Sequence, residues 1–203
     1  MTGLAQLLRV STKEVHGKAE GTKLMKALVR GEMTLPDYHV LLMNLQGVYN
    51  ALEDALESNR GNANVSPLML DGLARSSAIA RDLEELDHVG GEPVVLALAT
   101  SAYVDRLRFV GEQSPVLLAA HSYVRYLGDL YGGQMLAPVV ARRIGAPTSF
   151  YDFGDPQTVA ALTKSYRQAL DQLPLNERDT AAVVDEATSA FERHIDLFRE
   201  LAG

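Results

Sequence analysis

Apolar residues recur every three to four positions along most of this chain, and that spacing predicts helices throughout. No run alternates residue by residue as a half-buried strand does. Leu4, Leu7, Leu8, Ser11, Val15 and Ala19 fall on one face of a first helix, which Gly21 stops. A shorter helix follows from about Thr22 to Arg30, before Gly31. Thr34 caps the next one, with Pro36 tolerated in its first turn. That helix carries Leu41, Leu45, Val48, Leu52 and Leu56 on one stripe and reaches about Ser58. Gly61 to Pro67 reads as a polar connection. Further helices are predicted from Ala74 to Leu86, ending before Gly90-Gly91, and from about Val95 to Val110. Ser114-Pro115 opens a glycine-bearing helix that runs to Gly145, and Thr148 to Pro156 reads as irregular. The last two helices span about Gln157 to Gln172 and Glu177 to Leu201, parted by Pro174, the second capped at Asn176. None of the breaks has the composition of an interdomain linker. The expectation is all-α, a single compact multi-helix domain over residues 1–203.

Composition narrows the class. Of 203 residues, 47% are hydrophobic and 22% charged, ordinary for a chain that folds around its own core. The net charge of −7 argues against a general nucleic-acid binder, which needs a basic face. The absence of cysteine excludes a disulfide framework, a thiolate metal site and a cysteine nucleophile. The N-terminal MTGLAQLLRV lacks a basic start followed by a long apolar run, so no signal peptide is expected. No segment approaches the ~18–20 uninterrupted apolar residues of a membrane span. These features predict a soluble protein and are compatible with the cytoplasm.

The string Ala120 to Gln134, AHSYVRYLGDLYGGQ, breaks the helical rules most sharply. Gly128, Gly132 and Gly133 lie inside a helix, where each glycine costs about 0.8–1 kcal/mol against alanine, so together they give up roughly 2–3 kcal/mol. Gly128 and Gly132 are one turn apart and bare a strip of backbone on one face. Such a strip admits either a tightly crossing helix or a flat ligand. Asp129 stands beside it, with Arg125 one turn earlier.

The string closely resembles the distal helix of heme oxygenases, in which a glycine-rich kinked helix crosses the haem face. Thr12-Lys13-Glu14-Val15-His16 matches the segment carrying that family's proximal iron ligand, with Glu20 one turn on. Tyr49 to Glu53, Ser165-Tyr166-Arg167, Ala190-Phe191 and Leu197-Phe198 follow in the family's order and spacing. The likeness spans nearly the whole chain.

The resemblance implies a domain with haem sandwiched between a proximal helix and the glycine-kinked distal helix. Haem b is then both cofactor and substrate, cleaved to biliverdin, CO and ferrous iron through a ferric hydroperoxide that attacks the porphyrin meso carbon. O2 and electrons from an external reductase or ferredoxin are implied, since no flavin or nicotinamide fingerprint follows a strand. The implied metal ligand is His16, its tautomer fixed by an acceptor for which Glu20 is in helical reach. Asp129 is implied as the anchor of a proton-delivering water network, with Arg125, Tyr49 and Tyr126 in support and Gly128 and Gly132 crowding the bound dioxygen. Arg9, Lys13 and Arg167 are the implied propionate cations, and Tyr123, Gly133 and Phe191 complete the haem-contacting set. Lys164 reads better as a solvated charge. Tyr131 is a departure, because relatives usually carry a small residue there. Its ring could cover the haem, join the network or turn into a neighbouring helix.

Of the other histidines, His39 and His88 match no family role, His121 reads as structural, and packing suits His194 better than iron binding. The expected partners are haem and the electron donor, with no nucleic acid and no membrane, and the expected state is a cytoplasmic monomer. A haem carrier that has lost catalysis is the first rival, with Tyr131 as the suspect feature. An enzyme of the thiaminase-like family would need a cysteine nucleophile, and a scaffold using the glycines for packing would not hold haem tightly.

Overall fold

The computed structural model describes residues 3–86 and 96–203, and helices dominate both stretches. They are α1 (Leu4–Ser11), α2 (Lys13–Glu20), α3 (Lys23–Arg30), α4 (Leu35–Ser58), α5 (Ser76–Leu86), α6 (Leu98–Gln113), α7 (Leu118–Ser122), α8 (Gly128–Val139), α9 (Pro156–Asp171) and α10 (Glu177–Leu201). His88, the Gly90-Gly91 break and the expected start of α6 at Val95 lie outside the described residues.

Local chemistry accounts for most boundaries. The side chains of Thr22, Thr34, Asp155 and Asn176 each accept a hydrogen bond from the backbone N–H three residues on, satisfying a donor the first turn leaves free. Gly31 and Gly145 end their helices at φ 65° and 76°, a left-handed conformation that a side chain disfavours. The single first helix expected from Leu4 to Ala19 is instead two, broken at Thr12 (φ −94°, ψ 2°). The Thr12 hydroxyl donates to the Leu8 carbonyl at 2.7 Å, alongside that residue's own N–H, and this back-bonding bends the chain.

The glycine-bearing helix also departs from the simple expectation. It begins with a 3₁₀ turn at Pro115–Leu117, continues as α7, and widens to a π-turn over Tyr123–Leu127 before resuming as α8. A second π-turn at Val140–Ile144 follows Pro138, which has no N–H to give to the preceding turn. The irregular segment expected at Thr148 to Pro156 contains a 3₁₀ turn, Ser149–Tyr151, held by two buried groups. The Asp82 carboxylate accepts from the backbone N–H groups of Ser149 and Phe150, both at 2.8 Å. Arg75, nearly buried, donates to the carbonyls of Gly72 and Asp152 at 2.8 and 2.7 Å and lies over the Phe153 ring. Glu53 of α4 in turn accepts the backbone N–H groups of Arg75 and Ser76, tying the start of α5 to α4.

α4 packs along α5 and α6, and α10 packs against α2, α3, α6 and α7. Tyr38, Tyr49, Tyr103 and Tyr166 are fully enclosed in the core these helices share. α8 is supported by α3 and by the Ser149–Tyr151 turn, and keeps one face open.

Candidate functional site

The open face of α8 is the strip that its sequence defines. Gly128 is exposed, Gly132 is half-buried, and Tyr131 and Met135 on the same side are 60% and 63% exposed. A Cβ built on Gly128 meets nothing within 4 Å, and one on Gly132 meets only Leu136, at 3.8 Å. Among the described residues no crossing helix fills the strip, so the missing side chains leave room for a flat group against the backbone. Gly133 faces elsewhere: a Cβ there would sit 3.2 Å from the Tyr151 carbonyl. The lack of a side chain there serves the close approach of the Ser149–Tyr151 turn.

Beneath the strip lies a buried polar network drawn from four parts of the chain. The Tyr49 hydroxyl, on α4, donates to Oδ2 of Asp129. It accepts from Nε and Nη2 of Arg125 at 3.0 and 2.8 Å. Nη2 also donates to Oδ1 of Asp129 at 2.9 Å, and Nη1 donates to Nε2 of His194 on α10 at 2.8 Å. Burial pushes the Asp129 carboxyl well up from the ordinary aspartate range. Burial also brings Arg125 down to about 10, which leaves it charged at neutral pH. Tyr126, one of the expected supports, contributes ring contacts to Tyr49 and Tyr166 at 6.4 and 6.1 Å.

A second buried chain lies alongside. Nδ1 of His121 meets the Tyr103 hydroxyl at 3.1 Å, and Nε2 meets Glu186 at 2.9 Å. Burial holds His121 below the usual histidine range, so the neutral ring donates from Nε2 and accepts at Nδ1. Arg106 grips the same Glu186 carboxylate from the surface side. Burial acts to raise Glu186, but the hydrogen bonds from His121 and Arg106, with the charge of Arg106, outweigh it and hold the group below the ordinary glutamate range. The structural reading of His121 agrees with these contacts. His194 does more than pack: besides ring contacts with Tyr103 and Phe198, it enters the network through Arg125. Its spacing beside Phe191 and Phe198 placed it near a pocket, but only the fold brought it to Arg125.

His16 lies on α2 with its side chain half-exposed, its ring edge-on to Phe191 at a centroid distance of 5.4 Å. Glu20 is near it as expected, although the 3.8 Å from Nδ1 to Oε2 is longer than a hydrogen bond. Arg9 and Lys13 are exposed, and Arg167 is half-buried. Burial raises the Tyr123 hydroxyl pKa, while the Thr12 hydroxyl and the charges of Arg9 and Arg167 oppose the rise. Arg167 and Lys164 line a groove of about 600 Å³ with Tyr131 and Gln134, and Lys164 is exposed there. His39 is half-buried and distinct from these clusters.

An open backbone strip over a buried carboxylate network, with Lys164 and Arg167 beside it, defines an all-helical protein with an exposed groove along α8. Residues 2–200 match the family model described as heme oxygenase. Heme oxygenase 1 of Nostoc sp. is 36% identical over the full chain and 87% of its own length. The crystal structure of heme oxygenase-1 from Synechocystis sp. in complex with heme superposes with a TM-score of 0.90 at 35% identity, covering 98% of this chain and 92% of that one. The heme oxygenase structure from Leptospira interrogans gives 0.91 at 35% identity, with 98% and 100% covered. The chain belongs to the heme oxygenase family.

Among the described residues no helix is long and apolar enough to cross a membrane.

Proposed function

We propose that this protein cleaves haem oxidatively to biliverdin, CO and iron, consuming O2 and electrons from an external reductase or ferredoxin, as a cytoplasmic monomer. One observation carries the reading: the bare strip at Gly128 and Gly132 opens directly above a buried carboxylate that Tyr49 and Arg125 hold in place. Haem supplies the iron that activates oxygen and the macrocycle that is oxidised. The rest falls to the protein.

His16 would hold the iron through an imidazole nitrogen, and Glu20, 3.8 Å from Nδ1, would help to orient the ring. Arg9, Lys13 and Arg167 neutralise the propionates and fix the rotation of the macrocycle. Gly128 and Gly132 let the substrate lie against the backbone. Asp129 stores and passes a proton: burial raises its affinity for one, while Tyr49 and Arg125 stop the carboxyl from rotating. A proton from Asp129 would travel through water rather than from a side chain pressed against the haem face, a gentler delivery that suits oxidation of the macrocycle.

Absorbance after addition of one equivalent of hemin, then of a reductant in air, tests the proposal. A histidine-type Soret band that bleaches into a biliverdin spectrum is the expected result. A band that forms and persists would identify a haem carrier instead.

A further inference from the structure

His194 is enclosed on every side, 3% exposed, with its ring edge-on to Tyr103 of α6 at 5.0 Å and tilted against Phe198 of its own helix at 5.8 Å. Its only polar neighbour at hydrogen-bond distance among the described residues is Nη1 of Arg125, at 2.8 Å from Nε2. A guanidinium only donates, so Nε2 must present a lone pair. A neutral ring with its lone pair at Nε2 carries its hydrogen on Nδ1, and Nδ1 finds no acceptor among the described residues. Leaving a buried donor unpaired costs free energy. The ring is therefore oriented by what Nε2 does for Arg125, not by its own hydrogen-bonding balance.

The guanidinium is thereby pinned at three corners: Tyr49 takes Nε and Nη2, Asp129 takes Nη2, and His194 takes Nη1. Of these holds, His194 is the one that a proton can abolish while placing a second positive charge against Arg125. The titratable groups facing the ring are Arg125 from the π-turn, Tyr103 from α6 and His121 from α7, with Arg193 adjacent on α10 and Glu186 beyond His121. Burial, then Arg125, then His121 keep the ring neutral well below the ordinary histidine range.

We propose that His194 is a positioning residue for the Asp129 network: as a neutral Nδ1–H imidazole it holds Arg125 against Tyr49 and Asp129, and its protonation in acid releases that hold. This rests on the reading of Asp129 as the proton-delivering group.

Two measurements test it. The first uses the haem-free full chain labelled with 15N-histidine, in which nitrogen shifts report the tautomer of His194. A ring protonated at Nδ1 and bare at Nε2 at neutral pH is expected. A ring protonated at Nε2, or at both nitrogens, overturns the proposal. The second compares biliverdin formation and the deprotonation of ferric-haem-bound water, followed in the Soret band, across pH in His194→Gln and His194→Leu. Gln keeps an acceptor that does not titrate, so it should retain most of the turnover and extend activity further into acid. Leu removes the acceptor and should lower turnover roughly tenfold, less than the ~10²–10⁴-fold carried by a group that transfers the proton itself, and should shift the water transition. Identical pH profiles and water transitions in all three proteins would overturn the positioning role. Normal turnover in Asp129→Ala would sink the underlying reading while leaving the tautomer result standing, so the two failures are distinguishable.

Discussion

Tyr49 on α4 hands its hydroxyl hydrogen to Asp129 on α8, across a sequence separation of 80 residues, while two nitrogens of Arg125 donate to the Tyr49 hydroxyl oxygen. The phenol thus sets where the carboxylate sits. Tyr49→Phe keeps the ring contacts with Tyr126 and Phe150 but strips both charged groups of a partner. The cost in stability is about 1–3 kcal/mol, and biliverdin formation slows while haem affinity holds. Denaturant unfolding alongside single-turnover absorbance measures both; unchanged turnover would remove Tyr49 from the network.

Asp129→Ala should retain haem, since the carboxylate lies beneath the open strip, yet lose biliverdin formation by about 10²–10⁴-fold. A Soret titration and a turnover assay on one preparation decide it.

The three helix glycines should separate by sign. Gly128→Ala adds a Cβ where nothing stands within 4 Å, so the haem-free chain gains up to about 1 kcal/mol of stability from helix propensity while haem binding weakens. Gly132→Ala behaves alike. Gly133→Ala pushes a Cβ to 3.2 Å from the Tyr151 carbonyl and destabilises the haem-free chain by about 1–3 kcal/mol. Thermal unfolding without haem separates the two classes, and destabilisation by Gly128→Ala would contradict the open strip.

Arg167→Ala removes a cation from the groove it lines with Tyr131 and Lys164. The macrocycle then loses a rotational anchor, and chromatography of the product should resolve mixed biliverdin isomers. One unchanged isomer would count against propionate steering.

Acid should destabilise the haem-free protein in two stages. His121 and His194 are held neutral in the fold, whereas in the unfolded chain they take up protons near their ordinary 6.5. The unfolded state therefore binds more protons, and stability falls as pH drops below 6.5. Glu186, held at about 2 against an ordinary 4.5, adds stability that is present above 4.5 and lost as pH falls towards 2. Urea midpoints from neutral pH to about pH 2 should fall first below 6.5 and again below 4.5, against an opposing contribution from Asp129, with Glu186→Gln removing only the lower stage.

Features that depend on a few neighbouring residues were legible in the sequence. The caps at Thr34 and Asn176, the stop at Gly31 and the bare strip at Gly128 and Gly132 each follow from side-chain size, a hydroxyl or amide oxygen, or a left-handed φ. The π-turn at Tyr123–Leu127 was not, because one residue of helical slippage leaves the apolar spacing almost unaltered. Nor was the tether of the Ser149–Tyr151 turn, since charged residues such as Asp82 and Arg75 are ordinarily solvated, even though Asp82 shares the Ile79–Leu86 face of its helix. Their burial depends on backbone groups remote in the chain.

The site divides in the same way. Gly128, Asp129 and Arg125 are within one helical stretch, so their sequence spacing already implied a carboxylate and a cation beside an open backbone. What Gly133 faces and which nitrogen of His194 is protonated were decided by the packing of the Ser149–Tyr151 turn and of α10 against that stretch. Helical periodicity places residues on a face of their own helix. It carries no information about which other helix that face will meet, and a buried hydrogen bond takes its geometry from both.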